Sequence, residues 1–193
     1  AEAMTLENKL SKAQELYVRS LNIRERILGE LHFDTSVSLS NMGTICLIRG
    51  EPENSLSYLS RSLNIRESLL GQWNVYTGQV LSDLAYYYYE KGELLESIRL
   101  QEKSLDIYKK TLGDTNEDTL TCKSNLASAY CEIGLYLKSE MLLKEVLSLR
   151  ENCKIQNKLS IAISQYNLAR VLMEKYLYSD AEPIKGMAYY RIK

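Results

Sequence analysis

Apolar residues recur every three or four positions along most of the chain, which is the spacing of one face of an α-helix. The pattern runs on both sides of Gly92, with Leu81, Leu84, Ala85 and Tyr88 before it and Leu94, Leu95, Ile98 and Leu105 after it. A glycine between two amphipathic segments suits a tight turn. The pattern therefore predicts a helical hairpin, two helices joined by a short turn.

This hairpin is one copy of an internal repeat. The Leu-Gly pairs ending at Gly29, Gly71 and Gly113 are 42 residues apart. The same spacing aligns one position in each first helix, occupied by Asn41, Asp83, Asn125 and Asn167. It also aligns the turn glycines Gly50, Gly92 and Gly134, with Tyr176 in the fourth copy. Hairpins at a fixed period stack to bury each other's apolar faces, and we expect the fourth copy to turn less cleanly.

The register predicts a single array over residues 1–193. Residues 1–23 correspond to the second helix of a preceding repeat, and four repeats follow at 24–65, 66–107, 108–149 and 150–193. Glycines and prolines are few, with nine and two in the chain, so little interrupts the helices. We predict an all-α fold, a solenoid of helix-turn-helix repeats.

Helix start signals fit this register. Asp34, Asp118 and Ser160 are placed to cap first helices with their side-chain oxygens. Pro52 suits the first turn of a second helix, where its missing N–H has no intrahelical partner.

The run LAYYYYEKG places four tyrosines on different sides of one helix, because a helix turns 100° per residue. The stripe around Tyr86 predicts that Tyr86 and Tyr89 face solvent, that Tyr88 is in the core, and that Tyr87 points toward a neighbouring helix. The alternative is that all four rings only fill a wide helix interface.

The pattern N-L-A-x-x-Y, a glycine and a second amphipathic helix resemble the tetratricopeptide repeat. The signature S-L-x-I-R-E-x-x-L-G, with HFDT at 32–35, resembles the 42-residue repeats of kinesin light chains. The resemblance implies a right-handed superhelical solenoid whose first helices line a concave groove for an extended peptide, as in cargo adaptors. It also implies that the asparagines at position 41 and its equivalents bond the ligand backbone, since an amide both donates and accepts. Structural capping between hairpins is the alternative role.

The candidate peptide-binding residues lie on the first helices of all four repeats. They are Ser40, Asn41, Thr44, Gln79, Ser82, Asp83, Tyr86, Tyr89, Ser124, Asn125, Ser128, Asn167 and Arg170. Small residues precede the asparagine position in three repeats and leave room for a peptide.

The groove differs from that of cargo-binding light chains in charge. A lysine of that family, four residues before the asparagine, is replaced here by Val37, Gln79, Thr121 and Ile163. Asp83 adds a carboxylate at the asparagine position. Because an acidic ligand loses its basic contacts here, we expect a neutral or basic ligand with an apolar anchor.

Composition narrows the function further. The chain has 24 basic and 25 acidic residues, so net charge gives no pull toward nucleic acid or anionic lipid, and no apolar run reaches the roughly 20 residues of a membrane span. The four cysteines have no CxxC spacing and the only histidine, His32, falls in a predicted loop, so we expect no metal, no cofactor and no catalysis. Free thiols and the lack of a secretory signal at the start predict a cytoplasmic protein.

Two functions therefore stay open. The first is an adaptor or scaffold module that binds a linear peptide or partner segment in its groove. The alternative is a regulatory or structural array of a larger signalling protein that binds a folded partner domain. Exposed repeat ends also allow self-association.

Overall fold

A computed structural model describes the backbone of residues 2–153 and 157–191 and the side chains of residues 9–153 and 157–176. Within these ranges the chain forms helices joined by short turns and has no strand. The helices are α1 (Glu2–Leu28), α2 (Phe33–Ile48), α3 (Pro52–Leu70), α4 (Val75–Glu90), α5 (Leu94–Leu112), α6 (Glu117–Glu132), α7 (Tyr136–Glu151) and α8 (Lys158–Arg191). The predicted all-α architecture of helical hairpins is confirmed, with pairs α2–α3, α4–α5 and α6–α7.

The turns inside the three hairpins are where the glycine register predicts them. Gly50, Gly92 and Gly134 have φ of 73°, 76° and 80°, a conformation that residues with a Cβ rarely adopt. Pro52 is the first residue of α3, as predicted. These short turns make the two helices of each hairpin antiparallel neighbours.

The predicted helix caps are wrong by two residues or more. His32 caps α2 by accepting a hydrogen bond on Nδ1 from the Asp34 backbone N–H, and Asn74 and Asn116 cap α4 and α6 in the same way. In α8 the Asn157 side chain accepts from the backbone N–H groups of Leu159 and Ser160. Imidazole and amide acceptors occupy the position that was assigned to the carboxylates of Asp34 and Asp118.

A polar contact recurs where one repeat leads into the next. The hydroxyls of Thr35, Thr77 and Thr119 donate to the carbonyls of Gly29, Gly71 and Gly113, at 2.9, 2.9 and 2.8 Å. These contacts satisfy a carbonyl at the end of each second helix and fix the start of the next first helix.

Arginines reinforce the same junctions. Arg24, Arg66 and Arg150 are separated by multiples of 42 residues, and each donates to the carbonyl ten residues ahead, at Asp34, Tyr76 and Ser160. Arg66 is 2% exposed and also donates to Ser36 in α2. A planar guanidinium with several donors can bond two elements at once, which explains its use at these junctions.

The chain consists of two compact units, Ala1–Thr111 and Leu112–Lys193. The core of the first unit contains residues from α3, α4 and α5: Leu59, Val80, Leu81, Leu84, Ala85, Tyr87, Leu100 and Ile107. Tyr87 is fully buried, whereas Tyr88 is partly buried at the edge of this core. Tyr88 therefore packs against the core, as predicted, but is not fully enclosed by it, and Tyr87, which was predicted to point toward a neighbouring helix, is the fully buried ring. Because α4 is covered on two sides, its buried arc is wider than one stripe and includes Tyr87.

The core of the second unit contains Ala127, Cys131, Leu143 and Val171. It also holds a buried cation, because Lys123 is fully covered and its Nζ lies 2.8 Å from Glu145 Oε1 and 3.1 Å from Asp114 Oδ1. Burial opposes the charge, but the hydrogen bonds to Glu145 and Asp114 outweigh it and raise the pKa of Lys123. The equivalent residues one and two repeats earlier are Leu81 and Leu39, so a leucine position has become an ion pair.

The fourth repeat is not a hairpin. Its backbone forms one helix, α8, that continues through Tyr176, where the other repeats turn at glycine. Tyr176 cannot take the left-handed conformation cheaply, so the helix has no local reason to end there. The repeat boundaries themselves stay predictions.

Candidate functional site

The first helices α2 and α4 of the first unit lie side by side. The Ser40 hydroxyl on α2 donates to Asp83 Oδ2 on α4, with an oxygen–oxygen distance of 3.1 Å. Asn41 and Thr44 follow Ser40 on α2, and Tyr86 follows Asp83 by almost one turn of α4. Asn41 is partly exposed, and Thr44 and Tyr86 are exposed. We call Asn41, Thr44, Gln79 and Tyr86 the first-helix face.

Asp83 belongs to the contact between helices more than to this face. It is partly buried, and burial raises its pKa to about 6, whereas the Ser40 hydrogen bond and the charge of Arg66 act in the opposite direction. Its carboxylate is thus close to a buried serine and a buried arginine. The expected acidic character of the groove rests less on Asp83 than its sequence position suggested.

Tyr86 is the large aromatic residue of the first-helix face, with 51% of its surface exposed. Partial burial raises the pKa of Tyr86, and the neighbouring Glu90 carboxylate raises it further. Tyr89, the second predicted groove tyrosine, is only partly exposed. The ring of Tyr86 thus offers an apolar surface beside the Glu90 carboxylate and beside α2, the helix that carries the Asn41 amide.

Two predicted groove residues of α4 take part in intramolecular contacts. Gln79 is exposed, but its side-chain oxygen accepts from buried Arg66 at 3.3 Å. The Ser82 hydroxyl lies 3.0 Å from the Ser104 hydroxyl on α5 and accepts from Gln101. Ser82 therefore faces the second helix of its own hairpin, which corrects its assignment to the groove.

The second unit places its candidate residues on α6 and α8. Asn125 is exposed, and Ser128 and Asn167 are partly exposed. Arg170 is ion-paired with Glu132 across α6 and α8, at 2.9 Å. This pair neutralises the one arginine that the sequence offered as a basic groove residue.

The small residues before the asparagine position do not line open space. Ser40 and Ser124 are each 5% exposed. Ser40 bonds Asp83, and Ser124 donates to the Leu120 carbonyl in its own helix. Their small size allows neighbouring helices to approach each other. Ser40 and Ser124 therefore do not line the groove, in contrast to the prediction.

Sequence reasoning missed the residues that hold these faces in position. Arg66 bonds Tyr76 and Gln79 on α4 and Ser36 on α2, and so fixes the two helices that carry the first-helix face. The signal was present, because the Arg-Glu pairs at Arg24, Arg66 and Arg150 follow the 42-residue spacing. A charged residue that recurs in register with buried positions indicates a structural contact.

The buried thiols are poorly suited to nucleophilic chemistry. Burial raises the pKa of Cys46 to about 11 and also raises that of Cys131, so both stay protonated at neutral pH. His32 acts as a helix cap, in agreement with its expected role in a loop.

Among the described residues, no three potential ligands are grouped to hold a metal ion. No helix in the described part of the chain is long and apolar enough to cross a membrane.

Comparisons with known proteins agree with this architecture. The sequence profile of the tetratricopeptide repeat matches residues 1–68 and 76–152. A comparison with curated proteins gives no match.

Solved structures of similar fold include a Podosopora anserina protein described as a kinesin light chain with nearly identical TPR-like repeats. It has a TM-score of 0.74 and 20% identity, with 96% of this chain and 88% of that chain covered. BtubC (BKLC) from P. vanneervenii has a TM-score of 0.78 and 15% identity, with coverage of 96% and 74%. At these identities the similarity establishes the fold, and that fold is the solenoid of helical repeats predicted from the sequence. Because the sequence profile of the tetratricopeptide repeat matches most of the sequence, the chain belongs to the tetratricopeptide repeat family.

Proposed function

We propose that this chain is a non-catalytic protein-interaction module that binds a linear peptide or partner segment on its first helices. The repeats of this family are generally interaction modules, and the similar solved structures are described as a kinesin light chain or as BKLC. An adaptor or scaffold role follows, and a cargo adaptor of the kinesin-light-chain type is its narrower form. A cytoplasmic location fits the free cysteines.

One observation carries the proposal. The first-helix face combines an accessible amide, Asn41, with an exposed aromatic ring, Tyr86, on two helices that a hydrogen bond and Arg66 hold together. An extended peptide has unpaired backbone groups, which an amide can satisfy, and side chains that an aromatic ring can cover. Asn125 and Asn167 give the second unit the same amides on α6 and α8.

The charge of these helices favours a neutral or basic ligand. Neither α2 nor α4 contains a lysine or an arginine. Glu90 is exposed beside Tyr86, whereas Arg66 is buried and bonded within the unit. An acidic peptide would therefore meet a carboxylate and no available cation on these two helices. An apolar side chain against Tyr86 can contribute roughly 1.5–3 kcal/mol when it is fully buried.

The test is a fluorescence anisotropy titration of labelled peptides that share one apolar anchor and differ only in flanking charge. We expect the basic and neutral members to bind more tightly than the acidic member at low and at moderate salt. Tyr86→Ala should weaken binding by about tenfold, which corresponds to about 1.4 kcal/mol. The matched control is Tyr76→Ala, which removes a similarly exposed tyrosine from the same helix at 47% exposure.

Three outcomes contradict the proposal. If the acidic peptide binds best at both salts, the ligand class is wrong. If both tyrosine variants lose the same affinity, the site is not on the first-helix face. If no linear peptide binds while a folded protein domain does, the chain is the regulatory or structural array described above as the alternative.

A further inference from the structure

Helices α2 and α4 of the first unit lie side by side and run in the same direction. Arg66 bonds Ser36 of α2 and Gln79 of α4, and four residues further along each helix Ser40 bonds Asp83. Because both contacts advance toward the C-terminal ends, the helices are parallel and residues 42 positions apart lie at nearly the same level. The axes of two packed helices are separated by roughly 8–10 Å.

The C-terminal end of this helix pair carries two exposed apolar side chains. Ile48 is 57% exposed and lies seven residues after Asn41, which places both on the same side of α2. Tyr86 is 51% exposed on α4. Leu47 packs against the core that contains Tyr87, so this end of α2 is close to α4. Ile48 and Tyr86 therefore border the same part of the first helices.

The exposure of Ile48 belongs to its position in the repeat. Its equivalent on α4 is Glu90, which is exposed although α2 lies beside that helix. A preceding first helix therefore does not cover this position. The equivalents on α6 and α8 are Glu132 and Glu174, which are exposed as well. Helix α2 thus has an apolar side chain at a position that faces solvent in the other repeats.

Glu90 places a carboxylate next to these two apolar side chains. It lies one turn after Tyr86 on the same side of α4, close enough to the Tyr86 hydroxyl to raise its pKa. Within the described part of the chain, no basic residue forms an ion pair with Glu90. In the second unit, by contrast, Arg170 is ion-paired with the equivalent Glu132.

The two basic residues at this end of the helices are paired with other acids. Lys91 lies 3.7 Å from Glu93, and Arg49 lies 3.2 Å from Glu51. Neither pair includes Glu90, whose carboxylate can accept a cation from a ligand. An aliphatic or aromatic side chain and a cationic one are therefore the ligand groups that fit this surface.

We propose, on the basis of the peptide binding proposed above, that Ile48, Tyr86 and Glu90 form a subsite for two side chains of one extended peptide. An apolar residue packs against Ile48 and Tyr86, and a lysine or arginine two or three residues away binds Glu90. The spacing follows from the separation of the two helices, because an extended chain advances roughly 3.1–3.4 Å per residue. Residues two apart in a β-strand, or three apart in polyproline II, also point to the same side.

The test extends the anisotropy titration to peptides of identical composition. Each peptide keeps the same apolar anchor and carries one lysine, placed three or seven residues from it, both before and after the anchor. In at least one of these orders, the spacing of three should bind about threefold more tightly than the spacing of seven, which is the effect of one exposed ion pair. A further peptide has glutamine in place of the lysine at the spacing of three.

Variants of the chain assign each contact. Glu90→Gln should weaken the lysine peptide of spacing three by about threefold and leave the glutamine peptide unchanged. Ile48→Ser should weaken both peptides by about fivefold, because it removes apolar contact with the anchor. The controls are Glu67→Gln and Leu95→Ser, which replace exposed residues of α3 and α5 and should change neither affinity. Circular dichroism melts check that all variants keep their helices.

Three results overturn the subsite. The first is equal affinity for the spacings of three and seven in both orders. The second is an equal effect of Glu90→Gln on the lysine and glutamine peptides, and the third is unchanged binding in Ile48→Ser. In each case a loss of affinity in Tyr86→Ala would leave the proposed peptide binding intact. If no peptide binds, the subsite and the proposed function both fail.

Discussion

The Ser40 hydroxyl donates to the Asp83 carboxylate at 3.1 Å and joins the first helices of two successive repeats. The bond places a carboxylate where the other three repeats have Asn41, Asn125 and Asn167. It is also the point where the candidate groove and the packing between repeats meet, because Asn41 is adjacent to Ser40. A change at Asp83 therefore acts on stability as well as on ligand charge.

Asp83 should make the first unit less stable as pH rises. Its pKa in the folded state, about 6, is above the ordinary value of 3.8, so the folded chain holds the proton more tightly than the unfolded chain. Well below pH 3.8 both states are protonated, and as the pH rises from about 4 to 6 the folded state loses stability, by at most about 3 kcal/mol.

Asp83→Asn should remove this loss, because the amide oxygen can still accept from Ser40. We expect the variant to be more stable than the unmodified chain at pH 7.5 and nearly equal to it at pH 4. Urea denaturation across this pH range measures the difference. A variant that is less stable at pH 7.5 would show that the charge of Asp83 is favourable, through Arg66.

The contact of the buried Lys123 ammonium with the exposed carboxylates of Asp114 and Glu145 offers a second test. Lys123→Leu restores the residue type found at Leu39 and Leu81, and we expect a stability equal to or above that of the unmodified chain, since apolar replacements of buried ion pairs are often neutral or stabilising. The double variant Asp114→Asn with Glu145→Gln leaves a buried ammonium without an anion, and should lower the free energy of unfolding by about 2 kcal/mol or more. Chemical denaturation of both variants checks this. If Lys123→Leu is less stable than the unmodified chain, the ion pair is the better solution for this core.

Gly43 should resist substitution although it lies inside a helix. Alanine would gain about 1 kcal/mol in helix propensity but would force its Cβ against Leu59, and such overpacking costs roughly 1–3 kcal/mol. We expect Gly43→Ala to lower the free energy of unfolding by up to about 2 kcal/mol. In a Leu59→Val background the same change should cost less. Equal costs in both backgrounds would mean that Leu59 is not the residue in contact.

The helices were predictable from the sequence because glycine spacing and apolar periodicity report local structure. The burial and the contacts of individual side chains were not predictable, and the tyrosine run shows why. A single stripe drawn through Tyr88 assumes that one neighbour covers the helix, whereas α4 packs against both α3 and α5, so Tyr87 is more deeply buried than Tyr88. Ser40 and Ser124 were misplaced for the same reason, since a small residue leaves room equally for a peptide or for a neighbouring helix.

Contacts between repeats were not predicted, because finding them requires both the hydrogen-bonding capacity of a side chain and its position in the 42-residue register. Arg66 was recognised as part of a family signature, but its hydrogen bonds depend on how closely α2, α3 and α4 approach. The caps His32, Asn74 and Asn116 are also 42 residues apart, so the register alone would have located them. The exposure of Tyr86, by contrast, was predictable, because the turn of 100° per residue places it away from the apolar stripe of α4.

The most direct test of the account is to locate a bound peptide on the first unit. The measurement is a ¹H–¹⁵N NMR titration of the labelled chain with the tightest neutral or basic peptide, following both backbone and asparagine side-chain amides. We predict saturable shifts at Asn41, including its side-chain amide, at Thr44 and at Tyr86, with Ser57 and Leu95 on the exposed surfaces of α3 and α5 unchanged. Shifts confined to α3 and α5, with Asn41 and Tyr86 unmoved, would contradict binding on the first helices.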